Sequence, residues 1–264
     1  MSAQRVAAGL EYDGGQFVGW QHQNHARSIQ HTLNAAISMV ANEAVTTAAA
    51  GRTDAGVHAC GQVIHFDTTA SRSLRSWLLG INSNLPPDVA VQWVRSVTPE
   101  FHARYSALSR TYRYVILNRD VRAPLERDRA WCLRGALAVS GMAEAAGQLL
   151  GEHDFSAFRG AGCQARGPVR RLEKLTVTQD GDYVHVEVRA NGFLYHMVRN
   201  IVGALVRVGT GDAEPPWLGA LLASRDRRLG APTAPAGGLY LAEVQYSADL
   251  AFPAPPGLPV WRAR

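Results

Sequence analysis

Two successive passes of alternating strand and helix signals, the second containing an antiparallel hairpin, predict an α+β protein built from two related halves around sheets. The passes read βαβαβ and then βαββααβ, and the halves meet between residues 104 and 105 of a 264-residue chain. Hydrophobic residues make up 47% of the chain and charged residues 19%, so there is enough apolar surface for a sizeable core.

The first strand is read at RVAAGLEYDG, where Asp13-Gly14 supplies the turn that ends it. SIQHTLNAAISMVANEA then puts Ile29, Leu33, Ile37 and Val40 on one helical face, with Ser28 as N-cap. TTAAAGRTDAGVHACGQVIHFDT is a loop feeding a strand, with Ile64 and Phe66 on one face and Val63 and His65 on the other. LRSWLLGINSNLP is helical and stops before Pro86 and Pro87. VAVQWVRSV closes the first pass as a strand in which Val89, Val91 and Trp93 alternate.

The second pass opens with the strand LSRTYRYVIL, which carries Tyr112, Tyr114 and Ile116 on one side, followed by a helix at SGMAEAAGQLLGE. LEKLTVTQDGDYVHVEVRA is a hairpin turning at Asp180-Gly181. LYHMVRNIVGALVRVG is a helix that buries Met197, Ile201, Leu205 and Val208. A short helix at PPWLGALLAS and a strand at GLYLAEVQY complete the pass, and the proline-rich tail FPAPPGLPVWRAR reads as loop.

Composition excludes several function classes. No apolar run approaches the roughly 20 residues that cross a bilayer, and Glu11 and Asp13 interrupt any signal-like core after Arg5, so a cytoplasmic protein is expected. Cys60, Cys132 and Cys163 are isolated and form no CxxC pair. The spacing of His58, Cys60 and His65 matches no common zinc motif. Glycines at DGGQFVG and GPVRRL lack the spacing of a phosphate loop, and neither GxSxG nor HExxH occurs. The formal charge of +5 suits a polyanionic partner. The predominance of 26 arginines over the single Lys174 has two readings, GC-rich coding and guanidinium contacts to phosphate.

Three polar groups near element ends stand out. Asp54, beside Arg52 and before Ala55-Gly56, is either a turn former or a reacting group. Tyr112 is either a core aromatic or a group for stacking and proton transfer. Arg199, next to Asn200 in an apolar helix, needs a carboxylate partner, because an unpaired buried charge is costly. An Asp kept ionised by such an arginine is a competent nucleophile or base. This reading leaves the substrate open.

GRTDAGVHACGQVIHF closely resembles the catalytic segment of the tRNA pseudouridine synthase A (TruA) family. EYDGGQFVGWQHQ, INSNLPPDVAV, FHARYSALSRTYRYVI, GEHDFSAF, ANGFLYHMVRNIVGALVRVG and APTAPAGGLYLAEV are similar to further family blocks, in the family's order, from about residue 5 to about residue 246. The resemblance implies the pseudouridine synthase α+β fold, with a mixed, mainly antiparallel sheet and flanking helices. The catalytic Asp loop then falls in residues 1–104, and the Tyr strand and Arg helix in residues 105–264.

It also implies isomerisation of uridine to pseudouridine at positions 38, 39 and 40 of the tRNA anticodon stem-loop, without cofactor or metal, by a homodimer whose cleft uses both subunits. In that pattern Asp54 is the catalytic nucleophile, Arg52 helps flip the nucleotide, and Tyr112 is the active-site tyrosine. Arg199 pairs with the carboxylate, and Leu239 lines the uracil pocket. His22 stands where many relatives have a basic residue, and Tyr105 where phenylalanine is frequent. Phosphate contacts are expected from Arg104, Arg110, Arg113, Arg159, Arg170 and Arg171, each of which can equally be a solvated surface charge. The alternative of another class is a catalytically silent tRNA-binding module; an aspartate-nucleophile phosphatase would want further carboxylates to hold a metal.

Overall fold

The structure is a computed structural model that describes residues 3–23 and 26–257. Its contacts divide the described residues into two compact units. The first runs up to Leu108 and resumes at Tyr240, and the second is Ser109–Leu239.

In the first unit β1 (Gln4–Tyr12) is followed by α1 (Ile29–Ala41), β2 (Ala48–Ala49), β3 (His58–Thr68), α2 (Leu74–Asn84) and β4 (Val89–Val97). Of the returning segment, β10 (Leu239–Gln245) adds the last strand. The strand order is β4-β1-β3-β10, antiparallel except for the parallel β3–β10 pair, and β2 pairs with β3. Ser28 caps α1 as expected, its side chain accepting from His31 N, and Asn42 ends the helix in the left-handed conformation.

β3 is buried on both faces from His58 to Phe66, so that even its polar residues His58, Gln62 and His65 lie out of solvent. Phe66 meets Trp77 of α2 edge-on at 5.3 Å, while His65 on the other face lies edge-on to Phe101. Along β4 the expected alternation holds for Val89 and Val91 and then slips. A bulge opposite Gly9/Leu10 inserts one extra residue, so the next buried side chain is Val94 and not Trp93. Trp93 instead lies over Gly9, where a Cβ would come within 2.1 Å of its indole, and stacks on Phe252 of the proline-rich tail at 4.8 Å. Residues 252–257 of that tail are non-regular, as the prolines predict; its remainder lies outside the described residues.

The second unit contains β5 (Ser109–Asn118), β6 (Trp131–Leu133), α3 (Val139–Ala146), β7 (Gly151–Asp154), β8 (Val169–Asp180), β9 (Tyr183–Ala190), α4 (Met197–Gly209) and α5 (Trp217–Ser224). Its strand order is β5-β9-β8-β7, all antiparallel, with β6 parallel to β5. The Asp180-Gly181 hairpin is present, with Gly181 at φ +57°.

The helix read at SGMAEAAGQLLGE ends sooner than its composition suggests. A 3-10 turn at Gly147–Leu149 intervenes, Gly151 takes φ +99°, and GEHD joins the sheet as β7. α4 also begins later than expected, because His196 sits in the left-handed region at φ 60°. Met197, Ile201, Leu205 and Val208 are buried as expected; α4 is apolar on nearly every side because it is covered on nearly every side. Among the described residues no helix is long and apolar enough to cross a membrane.

Candidate active site

The first unit carries Arg52 and Asp54, and the second carries Tyr112, Arg199 and Leu239. Asp54 opens a tight turn between β2 and β3. Val57 N donates to Asp54 O at 3.1 Å, and Gly56 at φ +76° occupies the position where a turn of this type needs a positive φ. Ala55-Gly56 therefore has a backbone reason of its own. Around the turn, Arg52 is exposed, Thr53 is buried and Asp54 is half-buried, so the chain pins its middle residue and presents the charged residues on either side.

What pins Thr53 is a buried polar network. Tyr12 Oη and Thr53 Oγ1 are 2.9 Å apart, and Gln62 Nε2 donates to Gly51 O at 2.7 Å and to Tyr12 Oη at 3.4 Å. Trp20 N donates to Thr53 O at 2.9 Å and Gly56 N to Phe17 O at 3.2 Å, which ties the turn to the segment after β1. Gly19, at φ +102°, allows this approach, since a Cβ there would meet Thr53 O at 2.8 Å. Burial pushes the Tyr12 hydroxyl up to about 12, so it stays protonated and able to donate.

His58 follows the turn, buried and stacked on Tyr240 at 4.8 Å, with its Nδ1 3.1 Å from Gly14 N. His65 Nδ1 accepts from Ala103 N at 3.1 Å. Among the described residues no three His, Cys, Asp or Glu side chains come together in a metal-binding group.

In the second unit Tyr112 is 8% exposed on β5, its ring edge-on to Phe193 at 5.1 Å. Two residues on and on the same face, Tyr114 Oη donates to Pro235 O at 2.7 Å. Burial raises the Tyr114 hydroxyl far above its ordinary value, although the nearby Arg199 charge pulls it back. Arg199 lies on α4 in the turn after His196; its Nε donates to Ala234 O at 2.7 Å, and Ala234 N donates to Arg199 O at 3.2 Å.

Residues 231–238 thus form a strap along α4. Gly203 lets it approach, since a Cβ there would sit 2.1 Å from Pro232 O. Asn200 is buried; its Nδ2 donates to Phe158 O at 2.8 Å, and its Oδ1 accepts from Thr233 Oγ1 at 2.7 Å and Arg227 Nη2 at 3.1 Å. Arg227 Nη2 also donates to Ala231 O at 2.8 Å. The strap delivers the chain to Leu239, which is 4% exposed.

Arg52 and Asp54 therefore share one turn, and Arg199, Tyr114 and the strap before Leu239 form one connected group. Sequence reasoning missed Tyr12, Thr53, Gln62, Thr233 and Arg227. The available signal was Gln62 itself, a polar residue inside the apolar run ACGQVIHF, which had to find partners. Several arginines expected at phosphates have structural engagements. Arg113 pairs with Glu187 at 2.6 Å, Arg159 Nη2 donates to the carbonyls of Cys163 and Ala165, and Arg170 Nη1 donates to those of Gly167 and Val169.

Comparison with known proteins adds sequence kinship to this geometry. Residues 8–106 and 145–247 match the profile of a family described as tRNA pseudouridine synthase. A relative from Aeromonas hydrophila named tRNA pseudouridine synthase A is 49% identical over 257 residues, 97% of this chain and 96% of its own. Relatives of the same name from Thiobacillus denitrificans and Methylococcus capsulatus are 51% identical over 94% of this chain and 54% identical over 92%, covering 96% and 89% of their own lengths.

Proposed function

The chain belongs to the tRNA pseudouridine synthase family and is an isomerase of that class, and from this premise we propose that it converts uridines 38, 39 and 40 of the tRNA anticodon stem-loop as a cytoplasmic homodimer. Asp54 is its catalytic nucleophile, Arg52 and Leu239 bind substrate, Tyr112 binds substrate and takes part in proton transfer, and Arg199 holds the carboxylate in its ionised form. The observation that carries this assignment is the Asp54 turn: a half-buried carboxylate two residues from an exposed arginine, on backbone fixed by the Tyr12–Thr53–Gln62 network. A reacting group held this firmly loses little entropy on reaching its transition state.

The reaction is an exchange of bonds at one carbon. The C1′–N1 bond breaks and its electron pair leaves with the uracil ring. Asp54 either adds to C1′ or promotes elimination to a glycal, and both routes retain the ribose while the base turns. C5 then bonds to C1′, C5 loses its proton and N1 gains one, so the product is an isomer and no external oxidant or reductant enters. Tyr112 stacks on the turning base and is the candidate to take the C5 proton. Extruding the nucleotide costs a few kcal/mol, which Arg52 offsets by entering the vacated space. Positioning and electrostatics supply the rate enhancement.

Tritium release from tRNA carrying C5-labelled uridine, with pseudouridine mapping of the product, tests the proposal. Wild-type protein is expected to release label and to modify positions 38–40. Asp54→Asn is expected to bind tRNA and release none. Binding without release by the wild type would identify a silent tRNA-binding module, and turnover by Asp54→Asn would remove the nucleophile role. Light scattering of the purified protein tests the dimer.

A further inference from the structure

The turn at residues 101–106 presents an aromatic ring to solvent in an unusually determined way. Tyr105 is 76% exposed, yet the backbone beneath it is bonded at almost every step. His102 Nδ1 accepts from Arg104 N at 3.1 Å and Tyr105 N at 3.4 Å. His102 N donates to Ser106 Oγ at 2.9 Å, and Ser106 N returns to His102 O at 2.8 Å. Ala103 N is held by His65, whose ring is 4.6 Å from that of His102.

The His102 ring in turn backs Tyr105 at 4.4 Å, tilted by 36°, and the Arg104 guanidinium lies 5.7 Å from the centre of the tyrosine ring. Phe101 and Ala103 are buried, so the turn is anchored in the unit while Arg104 and Tyr105 face out.

We propose that Tyr105, backed by His102 and flanked by Arg104, is a stacking platform for one unpaired nucleotide of the tRNA. The inference rests on the functional reading above, which supplies a substrate with loop nucleotides. Any base offers a π face to an exposed aromatic ring, and a guanidinium beside that ring matches the phosphate of the same nucleotide. A turn already fixed by the His102 and Ser106 bonds binds without first losing loop entropy. The platform contributes to tRNA affinity and takes no part in the chemistry.

The test is equilibrium binding of unmodified tRNA transcript, with steady-state turnover measured on the same proteins. Tyr105→Ala and Tyr105→Leu are expected to weaken binding on the order of tenfold, the effect of losing one base stack. Tyr105→Phe is expected to bind like the wild type. The loss should fall on KM with kcat at saturating tRNA unchanged, and melting temperatures should not move, since the side chain is exposed. A tRNA carrying 4-thiouridine in its loop should crosslink to the 101–108 peptide of the wild type.

Wild-type affinity in Tyr105→Leu would overturn the stacking role. Loss of affinity that follows dissociation of the protein in light scattering would overturn it too, assigning the ring to a second copy of the chain. If the wild type makes pseudouridine while Tyr105→Ala binds normally, this inference fails alone. If the wild type neither binds nor modifies tRNA, the functional reading fails and takes the platform with it.

Discussion

Arg199 and Ala234 are joined by two hydrogen bonds, one from the Arg199 guanidinium to the Ala234 carbonyl at 2.7 Å and one from Ala234 N to the Arg199 carbonyl at 3.2 Å. The pair welds the 231–238 strap to α4 and fixes the guanidinium by its Nε. A lysine keeps the charge but has neither the Nε–H nor the fork. Arg199→Lys is therefore expected to lower kcat at least about a hundredfold, the scale at which small misplacements act. Its melting temperature should drop by a few degrees at most. Turnover near wild type would show that charge alone suffices at this position.

Gly203 tests the same strap from the other side. Alanine normally favours a helix interior over glycine by about 1 kcal/mol. Here its Cβ would lie 2.1 Å from Pro232 O, a backbone atom that moves only if the strap moves. Gly203→Ala is expected to destabilise the protein by about 1–3 kcal/mol, the usual cost of overpacking. Denaturant unfolding measures this directly, and a stabilised variant would mean the strap is free to shift.

Tyr12→Phe removes one hydroxyl from the network under Asp54. Thr53 Oγ1 and Gln62 Nε2 each lose a buried partner, at a cost of about 1–2 kcal/mol. The looser turn is expected to lower kcat about tenfold. Thr53→Ala should have a similar effect, and because both changes break the same bond, the double variant should cost clearly less than the sum. Simple additivity in the cycle would separate Tyr12 from the turn.

These examples show which parts of the site the sequence discloses. Asp54 and Arg199 are visible because a charge beside or inside an apolar run demands an explanation. Tyr12 is invisible because its partner Thr53 is 41 residues away and nothing local distinguishes it from any strand tyrosine. The same holds for Arg227, whose acceptors on Asn200, Ala231 and Thr233 exist only once the strap is folded onto α4. At the level of the fold, α1, α2 and the long hairpin follow from caps, periodicity and an Asp-Gly turn. β2, β6 and β7 do not, since strands of two to four residues carry too short a pattern to declare a period, and their order comes from neighbours already in the sheet. The slip from Val91 to Val94 in β4 escapes for a related reason: a bulge changes the inward face without changing composition.

Acid stability is expected to depend on His65. Burial, reinforced by the His102 and Arg5 charges, pushes this imidazole down to about 4 from an ordinary value of 6.5. Its Nδ1 also accepts from Ala103 N, a bond that protonation of that nitrogen would break. Between pH 6.5 and 4 the unfolded chain therefore binds a proton that the folded one refuses, so stability rises with pH across that window and is lost as pH falls through it. His102 and His185 are depressed in the same direction, chiefly by burial, and add to the slope. Glu43 and Asp226, held near 2 by hydrogen bonds, give up their contribution only at lower pH. An asparagine at 65 offers Ala103 N an acceptor and cannot titrate. His65→Asn is expected to lose less melting temperature than the wild type between pH 7 and pH 4, by several degrees, while matching it more closely at pH 7. Parallel curves for the two proteins would mean that His65 is protonated in the folded state and that the slope belongs to the other histidines.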